Sequence, residues 1–238
     1  MTYNSLPSTN QTLYQLASDR AIHFTVVSTF NQTNGKGYTG NQWQTDENQN
    51  LTFSFLLSEH LPFQKHLPIL NMWIALSIIQ VLTKWQIQAY IKWPNDIIIH
   101  HKKVGGILIQ TKLAQNKIQY IVVGIGLNIY QTNFEGLPQA SSIIKEYLIF
   151  NKPLDDCLLE MINHLEQSYK NFNPENYDQL INQYHGYLYK KDVVATYEFD
   201  GKLHNGILRK VDEDGHAIIE IEGYGLMTFM HKQIKLNY

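Results

Sequence analysis

Apolar positions recur along this chain with two periods, near 3.6 and 2, and the switches between them outline its elements. Ser8, Thr9 and Asn10 precede Leu13, Leu16 and Ala17 at helical spacing, which predicts a capped first helix. Residues 23–28 (HFTVVS) and 51–57 (LTFSFLL) read as strands. The stretch between them, 29–50, is polar and glycine-bearing, and so long a loop inside a compact domain usually carries function. Pro68 opens a second helix with Leu70, Ile74, Ile78, Val81 and Trp85 on an apolar face. Between 89 and 128 come the β-type runs AYIKW, DIIIH, VGGILIQT and KIQYIVVGIGLN, with turn residues at Pro94-Asn95 and Gln115-Asn116, as in the centre of a mixed sheet. Leu158, Met161, Ile162, Leu165 and Tyr169 mark another amphipathic helix, followed by a shorter helical pattern over 177–184.

After about residue 186 the texture changes to short alternating runs at 192–198, 202–209, 216–222 and 226–231, joined by Gly- and Asp-bearing turns. The expected organisation is therefore α+β: a mixed β-sheet unit flanked by helices over 1–185 and a small C-terminal β-barrel over 186–238. Composition narrows the chemistry. A net charge of -2 gives no electrostatic footprint for nucleic acid. The single Cys157 rules out an internal disulfide and any cysteine-built metal site, and core filling is its expected role. No signal pattern opens the chain and no apolar run approaches the roughly 20 residues of a membrane span, so a cytoplasmic protein off the membrane is expected. Adjacent His100 and His101 read as surface turn residues and not as metal ligands. Of 19 basic residues only Arg20 and Arg209 are arginine, so phosphate chemistry would lean on lysines and backbone amides.

Three segments could supply such chemistry. In 32–43 (QTNGKGYTGNQW), Gly35, Gly37 and Gly40 allow backbone amides to converge on an anion, although an ordinary surface loop has the same look. The loop is not of the Walker type, lacking Gly-Lys-Ser/Thr, and a following strand excludes a Rossmann turn. In 92–96 (KWPND), Pro94 fixes a turn and Lys92 ends a strand, where an ammonium could offset the charge of a carboxylate attacking a phosphate or could simply be solvated. KVGGILI (103–109) and VGIGLN (123–128) place glycines inside strands, which marks close approach of a ligand, a bulge or tight sheet packing.

Taken in order, Ser8-Thr9-Asn10, the Gly-Lys-Gly loop ending in Trp43, KWPND with its VGGILI, and GIGLN resemble the biotin protein ligase family from Ser8 to about Leu236. The resemblance implies a class II synthetase-like biotin/lipoate ligase fold over 1–185, with a Src-homology-3-like barrel over 186–238. It implies that biotin and ATP, with Mg²⁺, form biotinyl-5'-AMP, and that biotin then passes to a lysine of the biotin carboxyl carrier protein domain of acetyl-CoA carboxylase. By the same resemblance Ser8, Thr9, Asn10, Gln32, Lys36, Gly37, Tyr38, Lys92 and Gly106 would bind biotin. Gly35, Lys36, Gly37, Trp43, Asn95 and Asn128 would face ATP and the adenylate, with Lys92 as the catalytic cation. No permanent metal site is implied, and either a monomer or a homodimer is compatible.

Biotin's ureido ring suits the mixed donors and acceptors of Ser8, Thr9 and Gln32, and closure of 32–43 would shield the adenylate from water. The chain departs from the family where relatives commonly carry loop arginines: Lys36, Tyr38 and Asn41 stand there, and backbone amides or other lysines are expected to compensate. With the first motif at residue 8, the helix-turn-helix of some relatives has no place, so a monofunctional ligase without operator binding is expected. Two alternatives are a lipoate ligase or octanoyl transferase relative, disfavoured by KWPND with GGIL, and a biotin-binding protein without turnover.

Overall fold

In chain order the strands are β1 (Thr2–Tyr3), β2 (Val26–Thr29), β3 (Gly35–Lys36), β4 (Gln42–Trp43), β5 (Asn50–Leu57), β6 (Tyr90–Lys92), β7 (Asp96–Ile99), β8 (Lys102–Ala114), β9 (Lys117–Asn128), β10 (Val194–Phe199), β11 (Lys202–Val211), β12 (Ala217–Ile221), β13 (Gly225–Phe229) and β14 (Lys235–Leu236). The helices are α1 (Thr9–Ser18), α2 (Leu67–Lys84), α3 (Ile143–Glu146), α4 (Leu154–Lys170) and α5 (Tyr177–Gly186). This computed structural model describes residues 1–19, 21–59, 61 and 67–237, with all their side chains except those of Thr39 and Pro174, so Arg20 lies outside the described residues.

The main sheet runs β1-β2-β5-β9-β8-β7-β6, mixed because β1 pairs parallel with β2 while the other ladders are antiparallel. Its two faces follow from the period of 2. On β5, Leu51, Phe53, Phe55 and Leu57 join the large core under α2 and α4, as do Ile121, Val123, Ile125 and Leu127 of β9. The opposite face packs Leu56 and Val122 against Leu13 of α1, but its next positions along β5 and β9 are Thr52, Ser54, Gly124 and Gly126. Apolar packing stops there, and beneath the N-terminal end of α1 the sheet surface is polar and glycine-lined.

Helix α2 buries twelve of its residues between the sheet and α4 and α5. By length and composition it could cross a membrane, contrary to the expectation that no apolar run comes near that length, yet 67% of it lies inside the protein. Its uniform apolarity reflects burial on nearly all sides. Cys157 is fully buried, and burial pushes its thiol up to about 12, so it fills the core as an unionised thiol. His100 and His101 form the β7–β8 turn, with His100 at φ 51, and are bonded to Glu146 and Tyr189 respectively. Among the described residues no His, Cys, Asp and Glu cluster could hold a metal.

The strand read at 23–28 starts later, at Val26, because Phe24 adopts φ 59 and breaks extended geometry. The C-terminal strands depart further from expectation. They form one antiparallel sheet, β13-β12-β11-β10-β14, that is Src-homology-3-like but not a closed barrel. Strand β14 has only two residues and pairs with β10, so among the described residues no ladder joins it to β13. This sheet abuts the main one through the 187–189 segment, whose backbone bonds Ile91, and through Trp93 Nε1, which donates to Gly215 O at 2.8 Å.

Candidate active site

The cavity floor is set by strand register. Residues directly opposite on neighbouring strands share a face, so Thr52, Gly126, Gly106 and Asp96 form one row across β5, β9, β8 and β7, and Ser54, Gly124 and Leu108 form the next. Two of these glycines have a steric reason. A Cβ on Gly124 would overlap the Asn10 amide, and one on Gly126 would overlap the Trp43 indole. The resulting cavity of about 160 Å³ is lined by Ser8, Thr9, Asn10, Gln32, Lys36, Gly37, Tyr38, Trp43, Asn95 and Gly106 among the residues singled out from sequence.

One end is polar and closed. Thr9 donates to Gln32 Oε1 from its backbone N at 2.9 Å and from Oγ1 at 3.2 Å. Ser54 Oγ lies 2.6 Å from Asn10 Oδ1 and 2.8 Å from Thr9 Oγ1, and Asn10 Nδ2 donates to Gln110 Oε1 at 3.0 Å. Ser8 caps α1, its hydroxyl accepting from Gln11 N. All of these groups but the half-buried Gln110 are buried, and they hold one another in place, as a preorganised polar site requires. The sequence signal at 8–10 found three of them, while Ser54 and Gln110 sit on strands whose facing became visible only with the register.

The other end is charged and aromatic. The 32–43 segment is a hairpin of β3 and β4 with a 3₁₀ turn at Tyr38–Gly40, closed by Gly37 N donating to Asn41 O at 2.7 Å. Gly35 does not line the cavity but sits tight against the Trp43 carbonyl and the Gln32 amide. Trp43 lays its indole on Gly126, and the Lys103 ammonium stands 5.7 Å above that ring while pairing with Asp96 at 2.6 Å.

Lys92 does not line this cavity. It faces Asp96 across the β6–β7 ladder, one strand farther out, and borders the neighbouring cleft with Tyr197 and Lys235 of the C-terminal sheet. Burial pushes its ammonium below the ordinary value; Asp96 opposes that fall, and Lys103 and Lys235 add to it. Lys103, within the KVGGILI segment but not singled out from it, is the lysine of the two that the structure brings to the cavity.

Asn128 also lies outside the lining. Its Nδ2 donates to Ser141 O at 2.9 Å, whereas its Oδ1, the Trp43 Nε1 and the Ser142 hydroxyl are buried without a partner. Buried orphans of this kind call for an explanation, and a polar ligand would supply one. Asp96 and Asn95 give the cavity hard oxygen donors but no metal-binding set of their own. They fit a Mg²⁺ that arrives coordinated by a nucleotide's phosphates.

Residues 3–128 match the family model described as the biotin/lipoate A/B protein ligase family. The chain is 34% identical over 130 residues to a bifunctional ligase/repressor BirA of Bacillus subtilis, covering 54% of this chain and 40% of that protein. It is 26% identical over 230 residues to a biotin–[acetyl-CoA-carboxylase] ligase of Mycobacterium tuberculosis, covering 91% of this chain and 81% of that one. Among solved structures, a biotin protein ligase from Aquifex aeolicus in complex with biotin and ATP superposes with a TM-score of 0.80 at 23% identity, covering all of this chain and 97% of the other. That likeness establishes the fold. The chain spans about 40% of the length of the Bacillus relative.

Proposed function

This chain belongs to the biotin/lipoate A/B protein ligase family, and from that premise we propose that it is an ATP-dependent biotin protein ligase, which makes biotinyl-5'-AMP and passes biotin to a lysine of a carboxylase carrier domain. The observation that carries this reading is the cavity's two-ended chemistry: a closed cluster of buried amides and hydroxyls, a floor of Gly124 and Gly126, and the Lys103–Asp96 pair at the open end. The family also contains lipoate ligases, but a lipoyl dithiolane has no N–H or carbonyl to engage Thr9, Asn10, Gln32 and Ser54. A ureido ring, with one carbonyl and two N–H groups, does.

With the ureido ring in that cluster, the acyl chain of biotin runs along the cavity past the Trp43 indole and its carboxylate faces the open end. A carboxylate oxygen bonds to the α-phosphorus of ATP while the bond to the bridging oxygen breaks, and pyrophosphate leaves. Lys103 stabilises the charge that develops, and Lys92 reinforces it from one strand away through Asp96. Mg²⁺ brought with ATP would neutralise phosphate charge beside Asp96 and Asn95. In the second step the neutral amine of the acceptor lysine attacks the acyl carbon and AMP departs.

Ser8, Thr9, Asn10, Gln32, Lys36, Gly37, Tyr38 and Gly106 are assigned to biotin and its closing loop. Lys36, Gly37, Trp43 and Asn95 are assigned to the adenylate, with Gly35 and Asn128 supporting it from behind. The working division remains 1–185 for catalysis and 186–238 for the smaller unit, in a cytoplasmic setting. The test is to incubate the protein with biotin, MgATP and an apo carrier domain, following carrier mass and pyrophosphate. Biotin-dependent release of pyrophosphate with a mass gain of one biotinyl group is expected; absence of both would overturn the reading.

A further inference from the structure

His231, in the turn after β13, belongs to the C-terminal sheet yet reaches the central cavity, and it also borders the two neighbouring clefts. Its ring meets Tyr38, at the tip of the glycine-rich hairpin, edge to face with centroids 4.8 Å apart, and meets Trp93 of the KWPND turn at 5.9 Å. Both sides are anchored. The His231 turn is held by Met230 N donating to Gln233 Oε1 at 2.7 Å and Gln233 N donating to Met230 O at 3.1 Å. Trp93 is fixed by its bond to Gly215 O. The hairpin that carries Tyr38, by contrast, has only two ladder pairs of its own.

We propose that His231 is a positioning residue: it seats Tyr38 so that the hairpin stays closed over the cavity, doing through ring contacts what loop arginines would do through charge. Compensation for the missing arginines thus comes from the C-terminal sheet and not from a neighbouring lysine or backbone amide. The inference rests on the proposed ligase activity for its kinetic consequence, though not for the contact itself. An edge-to-face pair of this kind holds a mobile segment closed by a factor of about two to ten, and that factor sets the effect to look for.

The test uses the full chain with His231→Ala, His231→Phe, Tyr38→Ala and the double alanine variant. Hydrogen exchange of amides 35–43, measured without substrates, should quicken about two- to tenfold in His231→Ala, return close to the parent in His231→Phe, and rise no further in the double variant than in either single one. With biotin and MgATP, His231→Ala should release free adenylate severalfold faster per pyrophosphate formed, and His231→Phe should restore retention. Unchanged exchange in both single variants, or additive effects in the double, would overturn the clasp. If the parent forms no pyrophosphate, the ligase reading fails while the exchange data still decide the clasp. Should His231→Ala not fold, the Tyr38→Ala variant, altered at a 40% exposed side chain, carries the same comparison from the other side.

Discussion

The two ends of the cavity are built on different principles. At the closed end, Thr9 and Asn10 come from a helix start and Ser54 and Gln110 from strands, all locked by mutual hydrogen bonds among buried and half-buried groups. At the open end, Lys103, Asp96, Trp43, Tyr38 and His231 come from two strand ends, a small hairpin and a turn of the second sheet, and ring contacts and one ion pair join them. A site on regular elements holds its geometry without ligand, whereas a site on turns can open and close. The closed end therefore suits recognition of a substrate that enters first, and the open end suits steps that need closure and release.

The open end should show the largest effect. Lys103→Ala removes the cation proposed to face the reacting groups, and loss of one such preorganised charge costs on the order of 10²- to 10³-fold in rate. Lys92→Ala, acting through Asp96, is expected to cost roughly tenfold or less. Single-turnover pyrophosphate release measures both, and a larger loss from Lys92→Ala than from Lys103→Ala would reverse the assignment. At the closed end, Gly124→Ala forces the Asn10 amide out of its bonds with Ser54 and Gln110. Disrupting a buried polar pair costs about 1–3 kcal/mol, so calorimetry should find biotin binding weakened by about 10- to 100-fold, with nucleotide affinity little changed. Gly126→Ala reverses that pattern, because the side chain it displaces is Trp43: the KM for ATP should rise by roughly tenfold while biotin affinity falls less. If both glycine variants weakened biotin and ATP alike, the division into two ends would be wrong.

Much of this arrangement was legible in the sequence, and what was hidden has identifiable causes. The alternation in LTFSFLL and IVVGIGLN announced strands, and 8–10, 32–43, 92–96 and 124–128 marked the segments that surround the cavity. Alternation alone does not say which face meets which partner. That is fixed by register: Lys92 and Lys103 both flank Asp96, but Lys103 lines the cavity and Lys92 the neighbouring cleft. His231 stayed invisible because its contact with Tyr38 joins two units across nearly the whole chain, beyond the reach of any local pattern. The barrel was read from strand spacing, which cannot show that the last strand is too short to close it.

The smallest expected effect lies beneath the open end, where Glu146 braces the segment that holds Asn128. Its carboxylate accepts from the Ser141 hydroxyl and meets His100 Nδ1 at 2.7 Å, while Ser141 O accepts from Asn128. Burial works to raise the Glu146 pKa, but the hydrogen bonds from Ser141 and His100, with charge from His100 and Lys102, hold it below its ordinary value near 4.5. A carboxyl depressed in the fold stabilises it above the ordinary pKa, and that stability is lost as pH falls through the depressed value. Glu146→Gln should therefore lower stability at pH 7 by about 0.5–1.5 kcal/mol, the scale of a net hydrogen bond. The gap from the parent should close as pH drops below about 4.5. Chemical denaturation at pH 7 and in mild acid measures it, and a gap that persisted undiminished in acid would show that the loss comes from altered packing and not from the charge. Because this brace supports Asn128 from outside the cavity, biotin affinity should stay within about twofold of the parent. A larger fall would mean that the sheet carries strain from one end to the other and that the two ends are not independent.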